Sequence, residues 1–280
     1  MTDSELLAAY DAQVRGSFAH RVPARWTASQ DGPMTRCLTP RGGFAMTSTT
    51  LEELGDERLG ALIDRTVDFF SCAGRRFEWK TFDHDRAGLA DALLARGFLP
   101  KERESLVLGS AQPVIREETL PPGFTMRQVD DRADLERIAA LQSEVWGEDW
   151  SWLAEDLAGR LSDPEEPAVV FVIEHGGVVA SAAWLVPLVG TKFAGLWGGS
   201  TLPEFRRRGL YQALVSRRAR TALERGCTML QVDASADSRP ILETLGLHVV
   251  GGTTPYIWTP AGESAPGAVS KPGSRFSGGS

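Results

Sequence analysis

The chain of 280 residues has only three cysteines, and Cys37, Cys72 and Cys227 stand far apart, with no Cys-x-x-Cys and no Cys/His ligand spacing. Neither a zinc site nor a disulfide framework is indicated, so the thiols are expected to be reduced and mostly buried, and no metal is expected. Long apolar runs are missing as well: no stretch of about 18 apolar residues occurs. The opening residues Met1, Thr2, Asp3, Ser4 and Glu5 lack a basic segment leading into an apolar one. The expectation is a cytoplasmic protein without a membrane partner. Positive charge is in deficit, with 30 Lys plus Arg against 37 Asp plus Glu and a formal charge of −7. Binders of nucleic acid rely on neutralising phosphates, so no nucleic-acid partner is expected and a small or neutral one fits better.

What is present is enough apolar material, 42% of residues, to build one large core or two small ones, and two are expected. The segment "SAQPVIREETLPPG" (110–123) carries three prolines and no amphipathic period, as a connection between domains does. It divides the chain into a first domain (1–112), a linker (113–122) and a second domain (123–260). The run from Ala261 to Ser280 is rich in Gly, Ser and Pro and cannot offset its own ordering entropy, so a mobile tail is expected.

The first half reads as a helix (4–15), a strand near 43–48, a helix (56–72), a strand (77–82), a helix (86–96) closed by Gly97, and a strand (105–108). In the 56–72 helix Leu59, Leu62, Ile63, Val67 and Phe70 recur at helical spacing on one face. The second half reads as a strand (124–128), helices (133–146 and 152–161) and a hairpin (169–174 and 178–186) turning at His175, Gly176 and Gly177. A strand (193–201), a helix (209–225), a strand (229–232), a helix (238–245) and a last strand ending at Trp258 follow. The order is mixed α/β. "RFEWKTFDHDRAGLADALLARGFLP" and "CTMLQVDASADSRPILETLGLHVV" share a strand, a polar link, an amphipathic helix and a Gly-closed turn, which suggests a duplicated unit.

The segment with most chemistry is "GGSTLPEFRRRGLYQALVSRRARTALERG" (198–226), where a strand gives way to Arg206, Arg207, Arg208 and Gly209 and then directly to a long helix. The first amides of such a helix have no intrahelical partner and its dipole points its positive end at the loop. A pyrophosphate suits that place. Gly209 removes a side chain where a ligand must approach the main chain, and the arginines add charge and donors. Arginines at a helix start oppose the macrodipole, so an anionic ligand accounts for them better than stability does.

This segment resembles the coenzyme A signature of the GNAT N-acetyltransferase superfamily, Gln/Arg-x-x-Gly-x-Gly/Ala, with Arg206 at the first position and Gly209 at the central glycine. Tyr211 stands where the last Gly or Ala belongs, a departure from the pattern. The resemblance extends over most of 124–258, including Pro203, Glu204 and Phe205 and the "ETLGL" turn (243–247). It implies an α/β (α+β) architecture of two GNAT-like modules, each a mixed, mostly antiparallel sheet flanked by helices. It also implies an acyl-CoA-dependent N-acyltransferase, most simply an N-acetyltransferase using acetyl-CoA, acting on a small-molecule amine by direct attack in a ternary complex. By analogy Ser200, Thr201 and Leu202 hold the pantetheine arm, and Arg206, Arg207, Arg208, Gly209, Leu210, Tyr211 and Gln212 the pyrophosphate. A splayed strand pair would expose backbone donors to the developing oxyanion.

The acid and base are harder to place. Relatives often carry a tyrosine in the turn where this chain has Leu242, so Tyr256 on the last strand is the substitute candidate, against the alternative that it only packs. Glu148, Asp149 and Asp233 are candidate bases, against the alternative of solvated or capping carboxylates. Trp146, Trp150 and Trp152 either line the acceptor pocket or staple that connection to the first domain. His175 and His248 read as structural and exposed. The first half has Glu52, Glu53, Asp56 and Glu57 before its long helix and no Arg-x-x-Gly, so a degenerate module that does not bind coenzyme A is expected. In it Lys80, Asp83, His84 and Asp85 either face an acceptor cleft or form a polar link. This arrangement resembles tandem GNAT enzymes such as mycothiol synthase. Alternatives are a non-catalytic acyl-CoA-binding regulatory module and a protein lysine or N-terminal acetyltransferase, as a monomer or a homodimer.

Overall fold

The computed structural model describes residues 1–117, 119–165 and 167–261. The expected tail falls outside the described residues beyond Ala261. The N-terminal half holds helix α1 (Asp3–Tyr10), continued by a π-turn (Asp11–Arg15), then strands β1 (Thr27–Asp31), β2 (Met34–Thr39) and β3 (Gly42–Thr47). Helix α2 (Asp56–Cys72), β4 (Phe77–Phe82), α3 (Leu89–Leu94), β5 (Leu99–Pro100) and β6 (Glu104–Ser110) complete it. The C-terminal half holds β7 (Phe124–Val129), α4 (Arg132–Trp146), α5 (Leu153–Leu161), β8 (Val169–His175), β9 (Val178–Pro187) and β10 (Phe193–Thr201). Helix α6 (Leu210–Glu224), β11 (Met229–Ala234), α7 (Arg239–Thr244) and β12 (His248–Trp258) follow.

The strands form a single sheet in the order β1-β2-β3-β4-β12-β6-β11-β10-β9-β8-β7, with β5 on β12. Its two ends mirror each other: β3 and β4 are parallel neighbours, as are β10 and β11, and every other pair is antiparallel. The last strands of the two halves are exchanged. β12, from the end of the chain, pairs with β4 from Phe77↔Trp258 to Phe82↔Thr253, and β6, from the N-terminal half, pairs with β11 from Ser105↔Ala234 to Ser110↔Met229. Hydrogen bonding is therefore continuous across the connection at 113–122.

Alternation along these strands sorts the core. Phe77, Trp79 and Tyr256 meet Leu59, Leu62, Ile63 and Phe70 of α2, and Phe70 stacks on Phe77 at 4.0 Å. Val107, Leu230 and Val232 meet Leu210, Leu214 and Leu242 of α6 and α7 on the same face. Phe82, Leu106, Leu108, Val170 and Trp184 face the other way, onto α1, α4 and α5. Each large side chain buried here is worth roughly 1.5–3 kcal/mol, so both halves carry cores of their own and share one across the sheet. Among the described residues no helix is long and apolar enough to cross a membrane.

The expected elements from 56 onward are found within a few residues of their positions, and α2, β4 and β10 at their expected bounds. β1 and β2 were not foreseen, because Gly, Pro and Thr interrupt the apolar pattern from Trp26 to Pro40. The 86–96 helix shortens to Leu89–Leu94 because Gly88 takes a left-handed φ of +83° immediately before it.

Candidate functional site

Two adjacent irregularities at the end of β10 and the start of α6 create the site. The first is a bulge. Trp197 pairs with Trp184 and Ser200 with Ala182, leaving Gly198 and Gly199 opposite one residue of β9. Gly198 has φ +62°, and a Cβ there would strike the Trp184 ring, so both conformation and space call for glycine. The second is the parting of two strands: β10 and β11 pair only from Phe193↔Met229 to Gly195↔Gln231, and beyond Gly195 they diverge into a wedge. Parallel strands that separate in this way leave main-chain groups of β10 without a partner on that side.

At the mouth of the wedge the chain turns through a short 3-10 segment (Pro203–Phe205), and Arg207 and Gly209 both take left-handed φ values, +60° and +78°. The first helical bond runs from Ala213 N to Gly209 O at 3.0 Å, so the amides of Leu210, Tyr211 and Gln212 precede the helical ladder. No side chain caps this end and no acidic residue stands in the first turn. Arg206 Nε donates to Thr201 O at 3.1 Å, and Arg208 leans over the Phe205 ring, at 5.9 Å from its centroid. Among the described residues Arg206, Arg207 and Arg208 make no ion pair, and all three are exposed. A Cβ at Gly209 would meet nothing within 4 Å. The result is an open, cationic, carboxylate-free helix start, which suits a diphosphate.

Beneath it, Arg218 of α6 is 1% exposed. Its Nη1 donates to Trp184 O and Trp197 O, at 3.3 and 3.2 Å, and so ties α6 to the bulge, with the Tyr211 side chain beside its guanidinium. Burial lowers its pKa to about 10. Gln231, the last β11 residue paired with β10, is buried with its Oε1 unpartnered. An unpartnered side-chain oxygen at the vertex of the wedge is a group that a polar ligand can satisfy. The residues present therefore fit an acyl-CoA: α6 and the arginines for its diphosphate, the wedge for its acyl-bearing arm. Sequence reasoning missed Arg218 and Gln231, since each sits mid-element and only strand parting gives it a role.

Of the three residues expected to hold the pantetheine arm, Ser200 is buried and its carbonyl accepts from Ser181 Oγ at 2.7 Å. Thr201 O takes the Arg206 bond, and Leu202 N is committed to Ala180 O at 3.0 Å. Leu202 therefore anchors the turn instead of presenting a free donor. Tyr211 does lie in the wedge: a Cβ on Gly199 would come within 2.5 Å of its ring.

Helix α4 stands on the other side of the bulge. Gln142 Nε2 donates to Gly198 O at 2.7 Å, Ser200 Oγ donates to Gln142 Oε1 at 2.8 Å, and Trp146 Nε1 also donates to Gln142 Oε1. Trp146, more than a third exposed, thus stands beside the bulge. Trp150 and Trp152 stack on each other instead, at 5.1 Å, and Arg41 of the β2–β3 turn lies 3.7 Å over Trp152. These two staple the connection to the N-terminal half.

The expected acid and bases are placed elsewhere. Tyr256 is 8% exposed in the core beneath α2, paired across from Trp79, and is not brought to the wedge. Asp149 is exposed and accepts from Ser151 N at 2.9 Å, a bond that holds its carboxyl below its ordinary pKa and makes it a poor base. Glu148 is exposed beside it. Asp233 pairs with Lys80 at 2.5 Å and accepts from Thr253 at 3.1 Å. His175 packs between Phe124 and Phe205 and so supports the turn below the arginines.

In the N-terminal half the corresponding wedge is filled from within. Arg15, fully buried, donates to Thr47 O at 2.8 Å, to Thr49 O and to Asp85 at 2.6 Å, bridging the ends of β3 and β4. Asp56 and Glu57 occupy the first turn of α2, with Arg86 on Asp56 at 2.7 Å. Asp83 pairs with Arg103 and His84 with Asp11, so that segment is the polar link.

Residues 132–246 match the family model described as the acetyltransferase (GNAT) family. The fold is similar to that of a GCN5-related N-acetyltransferase from Kribbella flavida, at 17% identity and a TM-score of 0.66 over 88% of this chain and 95% of the other. It is also similar to a tandem GNAT protein from the clavulanic acid biosynthesis pathway, at 13% identity and 0.62 over 89% and 87%. A GCN5-related N-acetyltransferase from Sphaerobacter thermophilus aligns at 12% identity and 0.58, over 81% and 76%. No curated protein matches the chain. Residues 132–246 are thus a domain of the GNAT acetyltransferase family, set in a chain that folds as two GNAT-like halves.

Proposed function

We propose that the protein is an acyl-CoA-dependent N-acyltransferase, most simply an N-acetyltransferase, acting on a small-molecule amine by direct attack in a ternary complex. The observation that carries this is the uncapped start of α6, with no acidic residue in its first turn, beneath three arginines that make no ion pair, opening onto a wedge with the unpartnered Gln231 Oε1 at its vertex. Main-chain groups of the bulge suit the charge that develops on the thioester oxygen, because they are fixed in place before the reaction. Gln231 Oε1 is an unused acceptor for an N–H of the attacking amine, and Trp146 and Gln142 border the approach from the α4 side. The N-terminal half, its own wedge filled by Arg15, buttresses the active half through β6 and β12.

A second reading, an acyl-CoA-binding module without turnover, draws on Leu242, which is wholly buried in the core and offers no acid. Both readings share the binding site. Titration calorimetry with acetyl-CoA on the full chain and on Gly209→Glu tests it. The substitution sets a carboxylate where the diphosphate lies and should lower affinity by about 100-fold or more, since juxtaposed like charges cost several kcal/mol. Its left-handed backbone costs only about 1 kcal/mol of stability. Equal affinity in the two proteins would sink the assignment. Thiol release with an amine panel then separates turnover from binding alone.

A further inference from the structure

If acyl transfer occurs in the wedge, the C–S bond breaks and the departing sulfur takes a proton, which a side chain at that point can supply. The chain has three phenols. Tyr10 is buried under α1 on the opposite side of the sheet from α6, against Phe82 and Phe193, and Tyr256 belongs to the core of the N-terminal half. Tyr211, in the first turn of α6, has a ring edge against Gly199 of the bulge, and its side chain interacts with Ser238 at the start of α7 and with the Arg218 guanidinium. It thus spans the open side of the wedge from α6 to α7. The four histidines are elsewhere: His20 and His84 in the N-terminal half, His175 at the β8–β9 turn and His248 paired with Asp3.

We propose that Tyr211 is the proton donor to the leaving thiolate, with Ser238 and Arg218 as the groups that position and electrostatically support it; this rests on the acyl-CoA reading of the same site. The balance is simple. The amine nitrogen forms the new C–N bond, the C–S bond breaks, and Tyr211 gives its hydroxyl proton to sulfur. The ammonium proton lost on amide formation returns to the tyrosinate, so the net transfer is from nitrogen to sulfur. Two features suit the role. The Arg218 cation, fixed by the carbonyls of Trp184 and Trp197, opposes the negative charge that the transfer leaves behind. Burial holds the phenol above its ordinary pKa, so it is protonated at neutral pH, as a donor must be.

The test needs no acceptor. A phenol placed to protonate the sulfur also hydrogen-bonds the thiolate of bound coenzyme A and lowers its pKa. Thiolate absorbance of the coenzyme A complex, followed against pH, should give a thiol pKa lower by about one unit in the wild type than in Tyr211→Phe. Calorimetry with coenzyme A establishes which of the two proteins bind it. Equal thiol pKa values in two proteins that both bind would overturn the assignment to Tyr211 and leave the acyl-CoA site standing. Absence of binding by the wild type would remove both.

Discussion

At the scale of single residues, the two arginines that matter most, Arg218 and Arg15, do opposite things at corresponding places. Arg218 braces a wedge from one side and leaves it open, whereas Arg15 crosses its wedge and closes it. Arg15→Met would strand Asp85, whose carboxyl is 3% exposed, and should cost about 3–5 kcal/mol in urea unfolding while leaving acetyl-CoA affinity of the folded protein unchanged. A change in affinity comparable to that of Gly209→Glu would show that the N-terminal wedge takes part in binding. The open, cationic start of α6 was legible at this scale because its signal is local: arginines and a glycine before a helix are adjacent in sequence. The burial of Tyr256 under α2 was not, since it depends on β12 pairing with β4 of the other half.

Among the elements, helix α4 borders the bulge and is held at its start by charge. Asp131 caps it by accepting from Asp134 N at 2.9 Å, and Asp134 in turn binds Arg127 of β7 and Arg137. Hydrogen bonding to Arg127 lowers the Asp134 carboxyl to about 2. A pKa depressed in the folded state stabilises above the unfolded value near 3.9 and is lost as pH falls toward 2. Asp134→Asn should therefore cost about 1–2 kcal/mol at pH 7, discounted for the partly exposed Arg127, and progressively less below pH 4. Chemical unfolding at both pH values checks this; a penalty that does not shrink in acid contradicts the ion pair's role. Elements with strong period or firm punctuation, such as α2 and β10, could be read from the sequence. β1 and β2 could not, because their short, polar-edged strands acquire their pattern only by pairing in a hairpin.

For the whole molecule, the exchange of β6 and β12 is what sequence reasoning had no means to see, since alternation tells which strands exist but not which neighbours they choose. It has a mechanical consequence. The C-terminal half by itself lacks β6, leaving β11 with an open edge, and its own β12 is paired with β4. Residues 113–260 expressed alone should be insoluble or unfolded, and the full chain should unfold in one cooperative transition; two separated transitions, or a folded fragment, would contradict the interlock.

Whether the start of α6 grips a diphosphate is decided by a crystal structure of the complex with coenzyme A. The diphosphate oxygens should lie about 3 Å from main-chain amides between Arg207 and Gln212, with the thiol end in the wedge beside Tyr211. A nucleotide bound elsewhere on the molecule, with that turn left to solvent, would contradict it.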